Sequence, residues 1–154
     1  MKHLTSLLLL GLALLTGCTK TGLNRSKDFT HTGCAAETRA GLFGDEPSLL
    51  KLKYEDGGLR VIRTNVQANC AIKIRGLSCT VSIQGNTIRY MVDYETDGPE
   101  ANCICPVDEM SSVVIGLEEG KEYTFHFDGV GRCPEPITFT FRKGLNQVYD
   151  VATL

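Results

Sequence analysis

No stretch of this chain is apolar for the roughly 20 residues that a helix needs to cross the hydrocarbon layer of a membrane. The longest nearly apolar run, Leu4 to Leu15, is too short. An excess of charge of either sign is also missing, since 16 Lys and Arg stand against 18 Asp and Glu. That balance removes the electrostatic reason to expect nucleic acid or an anionic membrane surface as a partner. Histidine is scarce, with three in the chain, so near-neutral proton carriers are few. There is no G-x-S-x-G elbow, no phosphate-cradling glycine loop and no dinucleotide fingerprint. Internal repeats, low-complexity tracts and a long amphipathic helical pattern are absent as well. Together these absences point away from an enzyme.

What is present begins at the N-terminus. Lys2 and His3 form a small polar head, Leu4 to Leu15 follow, and Leu15-Thr16-Gly17-Cys18 closes the run. This is the layout of a secretory signal whose cleavage leaves Cys18 first. The segment resembles that of a bacterial lipoprotein precursor. The resemblance implies diacylglyceryl attachment to the Cys18 sulfur and acylation of its amine, with no other cofactor. Each acyl methylene buried in a bilayer contributes about 0.8 kcal/mol, so two or three chains tether a protein firmly without spanning the membrane. Thr19, not aspartate, follows the cysteine, which the resemblance reads as sorting to the outer membrane.

Removing the first 17 of 154 residues leaves 137, enough for one domain of modest core. Lys2 leaves with the signal and no acid does, so 15 basic side chains face 18 acidic ones. Residues 19 to about 45, rich in Thr, Gly, Asn, Ser, Lys and Ala, read as a tether, giving residues 46–154 to the folded domain.

Seven cysteines less Cys18 leave six: Cys34, Cys70, Cys79, Cys103, Cys105 and Cys133. An exported chain meets an oxidising compartment, so six thiols read as up to three disulfides. Of about 15 complete connectivities, the three that join Cys103 to Cys105 across one residue are too strained, leaving about 12. The expected map pairs Cys70 and Cys79 with Cys103 and Cys105 in some order, and Cys34 with Cys133. A soft-metal reading would use Cys103 and Cys105 with His31, His126, Met91 or Met110. However, the spacing lacks the paired C-x-x-C of a structural zinc site, and no βαβ pattern marks the pair as thioredoxin-like. No metal is expected.

From Ser48 onward the hydrophobic period is two, which places alternate side chains on one face of a strand. Leu50, Leu52 and Tyr54 alternate with Lys51 and Lys53 before the turn Asp56-Gly57-Gly58, and a strand follows at about 59 to 66. Cys70, Ile72 and Ile74 continue the alternation. Gly85-Asn86 predicts a two-residue hairpin of type II′, with Ile83 facing Ile88, Val81 facing Tyr90 and Cys79 facing Val92 on the core side. Asp97-Gly98-Pro99-Glu100 reads as a polar loop, the Cys103 to Pro106 segment follows, and Val113, Ile115 and Leu117 suggest another strand. Tyr123, Phe125 and Phe127, then Ile137, Phe139 and Phe141, repeat the pattern, and residues 147 to 152 suggest a last strand.

The segment from Leu117 to Phe125, with Gly120 in its bend and Tyr123 six residues after Leu117, resembles the corner of a fibronectin type III or related immunoglobulin-like domain. There the tyrosine hydroxyl bonds back to upstream backbone and braces the crossing between two sheets. The resemblance implies that role for Tyr123 and, with some seven to nine short strands, an all-β sandwich. The chain departs from such modules in its cysteines and in having no tryptophan. The middle of the chain, from Thr64-Asn65-Val66 to Cys103-Ile104-Cys105, is also similar to small cysteine-containing bacterial lipoproteins, a likeness that supplies no activity.

No catalytic residue is expected. His31 lies three residues before Cys34, which reads more simply as half of a disulfide, and His126 faces outward on a strand beside Asp128. Arg60, Lys73 and Arg75 could share a sheet face toward an anionic partner, although a solvated stripe is the simpler reading. The expectation is a lipid-anchored envelope protein, periplasmic or surface-facing, whose sandwich binds a protein or polysaccharide or plays a structural part. The alternative is an envelope enzyme or a thiol-disulfide or metal-handling protein that uses Cys103 and Cys105.

Overall fold

A computed structural model describes residues 23–33, 47–96, 98–99 and 102–153. Cys18, Cys34 and the signal segment lie outside the described residues. Among the described residues the strands follow in chain order: β1 (Ser26–His31), β2 (Leu49–Glu55), β3 (Gly58–Asn69), β4 (Ser78–Gln84), β5 (Thr87–Asp93), β6 (Ile104–Val114), β7 (Glu122–Gly129), β8 (Ile137–Thr140) and β9 (Asn146–Asp150). They form one five-stranded sheet in the order β1-β6-β3-β2-β9 and one four-stranded sheet in the order β4-β5-β7-β8. The architecture is the all-β sandwich that the period of two requires once the apolar face of each strand is buried.

Turn chemistry fixes the hairpins. Asp56 (φ 47°) and Gly57 (φ 81°) both take the left-handed region, as a type I′ turn needs, and set Glu55 opposite Gly58 and Leu52 opposite Val61. At the β4–β5 turn only Gly85 has positive φ (59°), the type II′ pattern. Ile83 pairs with Ile88, Val81 with Tyr90 and Cys79 with Val92, as expected. A slip of one residue would send this apolar set into water, which is why the register is specific.

The inner faces meet in one core. Leu50, Leu52, Leu59, Val61 and Val107 of the first sheet pack with Val81, Ile88, Tyr90, Phe125 and Phe139 of the second. Tyr90 stacks on Phe127 with ring centroids 4.8 Å apart. Its hydroxyl reaches Ser112 Oγ of the opposite sheet at 2.8 Å, so this buried polar group is paired across the interior. Burial pushes the Tyr90 phenol well above its ordinary value, with the nearby Cys79 thiol adding to the effect. It stays a neutral hydrogen-bonding group.

Three sequence expectations change. Residues 26–31, assigned to the tether, form β1, which pairs with β6 at the sheet edge and carries a bulge between Lys27 and Thr30, where Asp28 has φ 53°. The residues just before β1 also cross between sheets: Arg25 N donates to Val81 O at 2.9 Å, and Ile115 N donates to Arg25 O at 2.9 Å. Second, β6 runs from Ile104 to Val114, starting within the Cys103 to Pro106 segment well before Val113, whereas Ile115 and Leu117 belong to the connection beyond it. Its partner β3 is long enough to pair with it from Leu59–Val114 through to Asn69–Ile104. Third, Ile72 and Ile74 do not extend a strand. Ile72 makes an isolated bridge to Thr96, and Ile74–Gly76 form one 3-10 turn.

The tyrosine corner is present. Glu118 N donates to Tyr123 Oη at 2.9 Å, Gly120 takes φ 84°, and Leu117 packs half-buried against the core. The bend carries the chain from β6 in the first sheet to β7 in the second. There the order parts from an all-antiparallel immunoglobulin sandwich, because β7 lies parallel to β5, Ile88 beside Phe125 and Tyr90 beside Phe127. Tyr123 itself is buried at 1 % exposure, so Tyr123→Phe leaves the Glu118 amide without its acceptor. A loss of about 1 kcal/mol or more is expected, read as a lower urea midpoint at unchanged m-value. An unchanged midpoint would show that the hydroxyl braces nothing.

Candidate functional site

The two sheets leave an opening at one end of the sandwich. Where β2 begins, β3 ends and β7 turns toward β8, a cavity of about 520 Å³ is lined by Ser48, Arg63, Asn65, Tyr94, Val130 and Arg132, among others. The backbone creates it. Along β3 the buried residues are Leu59, Val61 and Arg63, then Val66 and Ala68, so the inward phase shifts by one near Asn65. Asn65 has φ 51°, a left-handed residue that reverses which side of the strand faces in. On β6 the buried set likewise changes phase, from Cys105 and Val107 to Met110, Ser112 and Val114. The shift occurs opposite Asn65, because Thr64 pairs with Glu109 and Val66 with Val107.

Arg63 is the outstanding member. It occupies a core position at 4 % exposure. Its Nε donates to Gly131 O at 2.8 Å, and its Nη1 lies within donating distance of Ser48 Oγ (2.8 Å), Leu49 O (3.1 Å) and Thr64 O (3.0 Å). These bonds tie the start of β2 and the β7–β8 loop to β3. Gly131, at φ 83°, can approach because it has no Cβ, since one would lie 3.3 Å from Arg63 Cγ and 3.0 Å from Met110 Cε. Burial pulls the guanidinium below its ordinary value, and the Cys133 thiol beside it works the other way. The same burial raises the Cys133 thiol, with Arg63 opposing.

The cysteine map is partly corrected. Cys70 and Cys103 are bonded, with Cα atoms 5.6 Å apart, at the same end of the sandwich as the cavity. Cys105 is also disulfide-bonded. Cys79 and Cys133 are buried free thiols, not the disulfide halves expected. The Cys79 sulfur lies 4.0 Å from Ser112 Oγ, seven residues along β6 from Cys105. At about 3.3 Å per residue this is roughly 23 Å, far beyond disulfide reach. Cys133 is a free thiol beside Arg63, so it does not take the expected disulfide; Cys34 lies outside the described residues.

The remaining sequence candidates do not converge. Met91 is exposed on the outer face of the second sheet, whereas Met110 is buried in the core. His31 sits on β1 with Nδ1 3.1 Å from Thr32 O, and His126 lies opposite Arg89 on the other sheet. Among the described residues no three His, Cys, Asp or Glu side chains gather in a metal-holding group. Arg60, Lys73 and Arg75 share no sheet face. Arg60 is paired with Glu55, Lys73 lies past the end of β3, 3.6 Å from Glu95, and Arg75 is in the 3-10 turn. Arg63 was passed over among the sequence candidates, though its signal was legible: a lone charge at an inward position of the Leu59-x-Val61-x-Arg63 alternation.

No family model matches the chain, and neither does any curated protein or solved structure. The site therefore has to be read from its own chemistry.

Proposed function

We propose that the chain is a lipid-anchored protein of the bacterial cell envelope whose sandwich serves as a non-catalytic binding or structural module. The observation that carries this reading is Leu15-Thr16-Gly17-Cys18 at the end of a short apolar run, placed ahead of a domain containing the Cys70–Cys103 disulfide. Export supplies both the lipid on Cys18 and the oxidising compartment in which such a bond persists. The covalent lipid is its only non-protein group. Thr19 favours the outer membrane, and the loops at the sandwich ends offer a surface to a protein or polysaccharide.

The competing reading, an envelope enzyme or thiol-disulfide or metal-handling factor built on Cys103 and Cys105, is the weaker. Each of those sulfurs belongs to a separate disulfide, with Cys103 bound to Cys70, so the two do not form an exchanging pair. Replacing Cys18 with alanine should move the protein from the membrane pellet to the soluble fraction and abolish incorporation of labelled palmitate. Retention in the pellet with label still incorporated would refute the anchor.

A further inference from the structure

The chain that leads from Cys18 is locked to one side of the sandwich. Asn24 Nδ2 donates to Cys79 O at 2.9 Å, and Asn24 Oδ1 accepts from Val81 N at 2.8 Å and from Ser26 N at 3.0 Å. Arg25 N donates to Val81 O, and Arg25 O accepts from Ile115 N, both at 2.9 Å. The bonds to Cys79 and Val81 engage backbone groups of β4, the terminal strand of its sheet, and β1 is the terminal strand of the other. These two strands touch, so they share one side of the sandwich and β8 and β9 bound the opposite side. Cys18 and Asn24 are six residues apart. A fully extended chain gains at most about 3.6 Å per residue, so Asn24 stands within roughly 22 Å of Cys18 whatever path residues 19–22 take.

We propose that the β1/β4 side is the surface the sandwich seats against phospholipid headgroups, with the β8 and β9 edges directed away from the bilayer. This inference rests on the lipid-anchor reading and gives that anchor a geometry. Leu23, exposed at 72 %, immediately precedes the clamped residues, and the headgroup–acyl boundary removes such apolar surface from water. The outward residues of β4, Ser78, Thr80, Ser82 and Gln84, are uncharged, so close approach strips water from no ionised group among them. Residues 19–31 carry Lys20, Arg25 and Lys27 against Asp28 alone, a local excess of cations that favours lipid phosphates although the chain as a whole is balanced. From β4 to β8 there are three inter-strand steps and from β1 to β9 four, which at about 4.8 Å each set the far edges roughly 14 and 19 Å further out. Those edges, each paired on one side only among the described residues, are thereby left to the aqueous side.

The sequence holds no tryptophan, so a single introduced indole reports its own height by energy transfer to a dansyl-headgroup lipid. The acylated full chain is reconstituted in phosphatidylethanolamine–phosphatidylglycerol vesicles carrying that lipid, with Thr80→Trp on β4 and Val148→Trp on β9, both at exposed positions. Lys27→Trp on β1 and Thr140→Trp on β8, also exposed, repeat the comparison, and if one reporter of a side fails to fold the other decides. Transfer from the β4 and β1 reporters is expected to be several-fold stronger than from those on β9 and β8, because it falls steeply with distance. Equal transfer from the two sides, stronger transfer from β8 and β9, or no transfer from a protein that floats with the vesicles would each overturn the orientation and leave the anchor standing. A protein that does not float with the vesicles removes the anchor, and this inference with it.

Discussion

Gly129→Ala is expected to destabilise the sandwich by about 3 kcal/mol or more. Gly129 ends β7 with φ 78°, a left-handed conformation that costs a residue with a Cβ roughly 1–2 kcal/mol. The larger contribution is steric. A Cβ there would lie 2.1 Å from Val92 O and 2.9 Å from Val92 C. That carbonyl belongs to β5 and cannot retreat freely, since Gly129 is registered beside Val92 in the parallel pair and Val130 N donates to Val92 O at 3.1 Å. The alternatives are to break the ladder or to displace the β7–β8 loop that covers Arg63. Gly144→Ala separates the two contributions, because Gly144 also has φ 78° but nothing lies within 4 Å of its added Cβ. Urea unfolding should place Gly144→Ala about 1–2 kcal/mol below wild type and Gly129→Ala well below that. Equal losses would mean that β5 and β7 are not packed as closely as described.

Removing the Cys70–Cys103 bond as the double alanine variant should cost about 3 kcal/mol, the loop-closure entropy of a cross-link over tens of residues. Its sequence separation is 33, and the bond joins the end of β3 to the start of β6, the central pair of the five-stranded sheet. Cys70 N also donates to Cys103 O at 3.3 Å, so the backbones are already aligned and little native geometry should change on removal. The effect acts mainly on the unfolded chain. The prediction is therefore a lower midpoint with near-native circular dichroism and a raised m-value, as the uncrosslinked chain unfolds to a more open ensemble. A midpoint equal to wild type would remove the staple from the account of stability.

Both predictions concern the end of the molecule that was least legible beforehand. A strict period of two from Leu59 would carry Asn65 and Gln67 inward, yet the left-handed φ of Asn65 turns Val66 and Ala68 into the core instead. A single backbone residue in an uncommon region leaves no mark on hydrophobic periodicity. Cys79 was legible as a core residue but not as a free thiol. Whether a sulfur finds a partner depends on which strand end comes opposite, and Ser112 occupies that place. β1 escaped notice because an edge strand with a bulge and mostly half-exposed residues carries little alternation of its own.

The order of residues by itself determined the β4–β5 hairpin register, the turn after β2, the inward sets of β2, β4, β5, β7 and β8, the bracing of Tyr123 and hence the sandwich. Each rests on turn chemistry or on alternation within a few residues of its cause. Only the tertiary structure decided that β7 runs parallel to β5, that β1 joins β6, that Cys70 takes Cys103 while Cys79 and Cys133 stay reduced, and that Arg63 comes to rest beside a cavity. Those outcomes depend on contacts between segments tens of residues apart, which local patterning permits but does not choose.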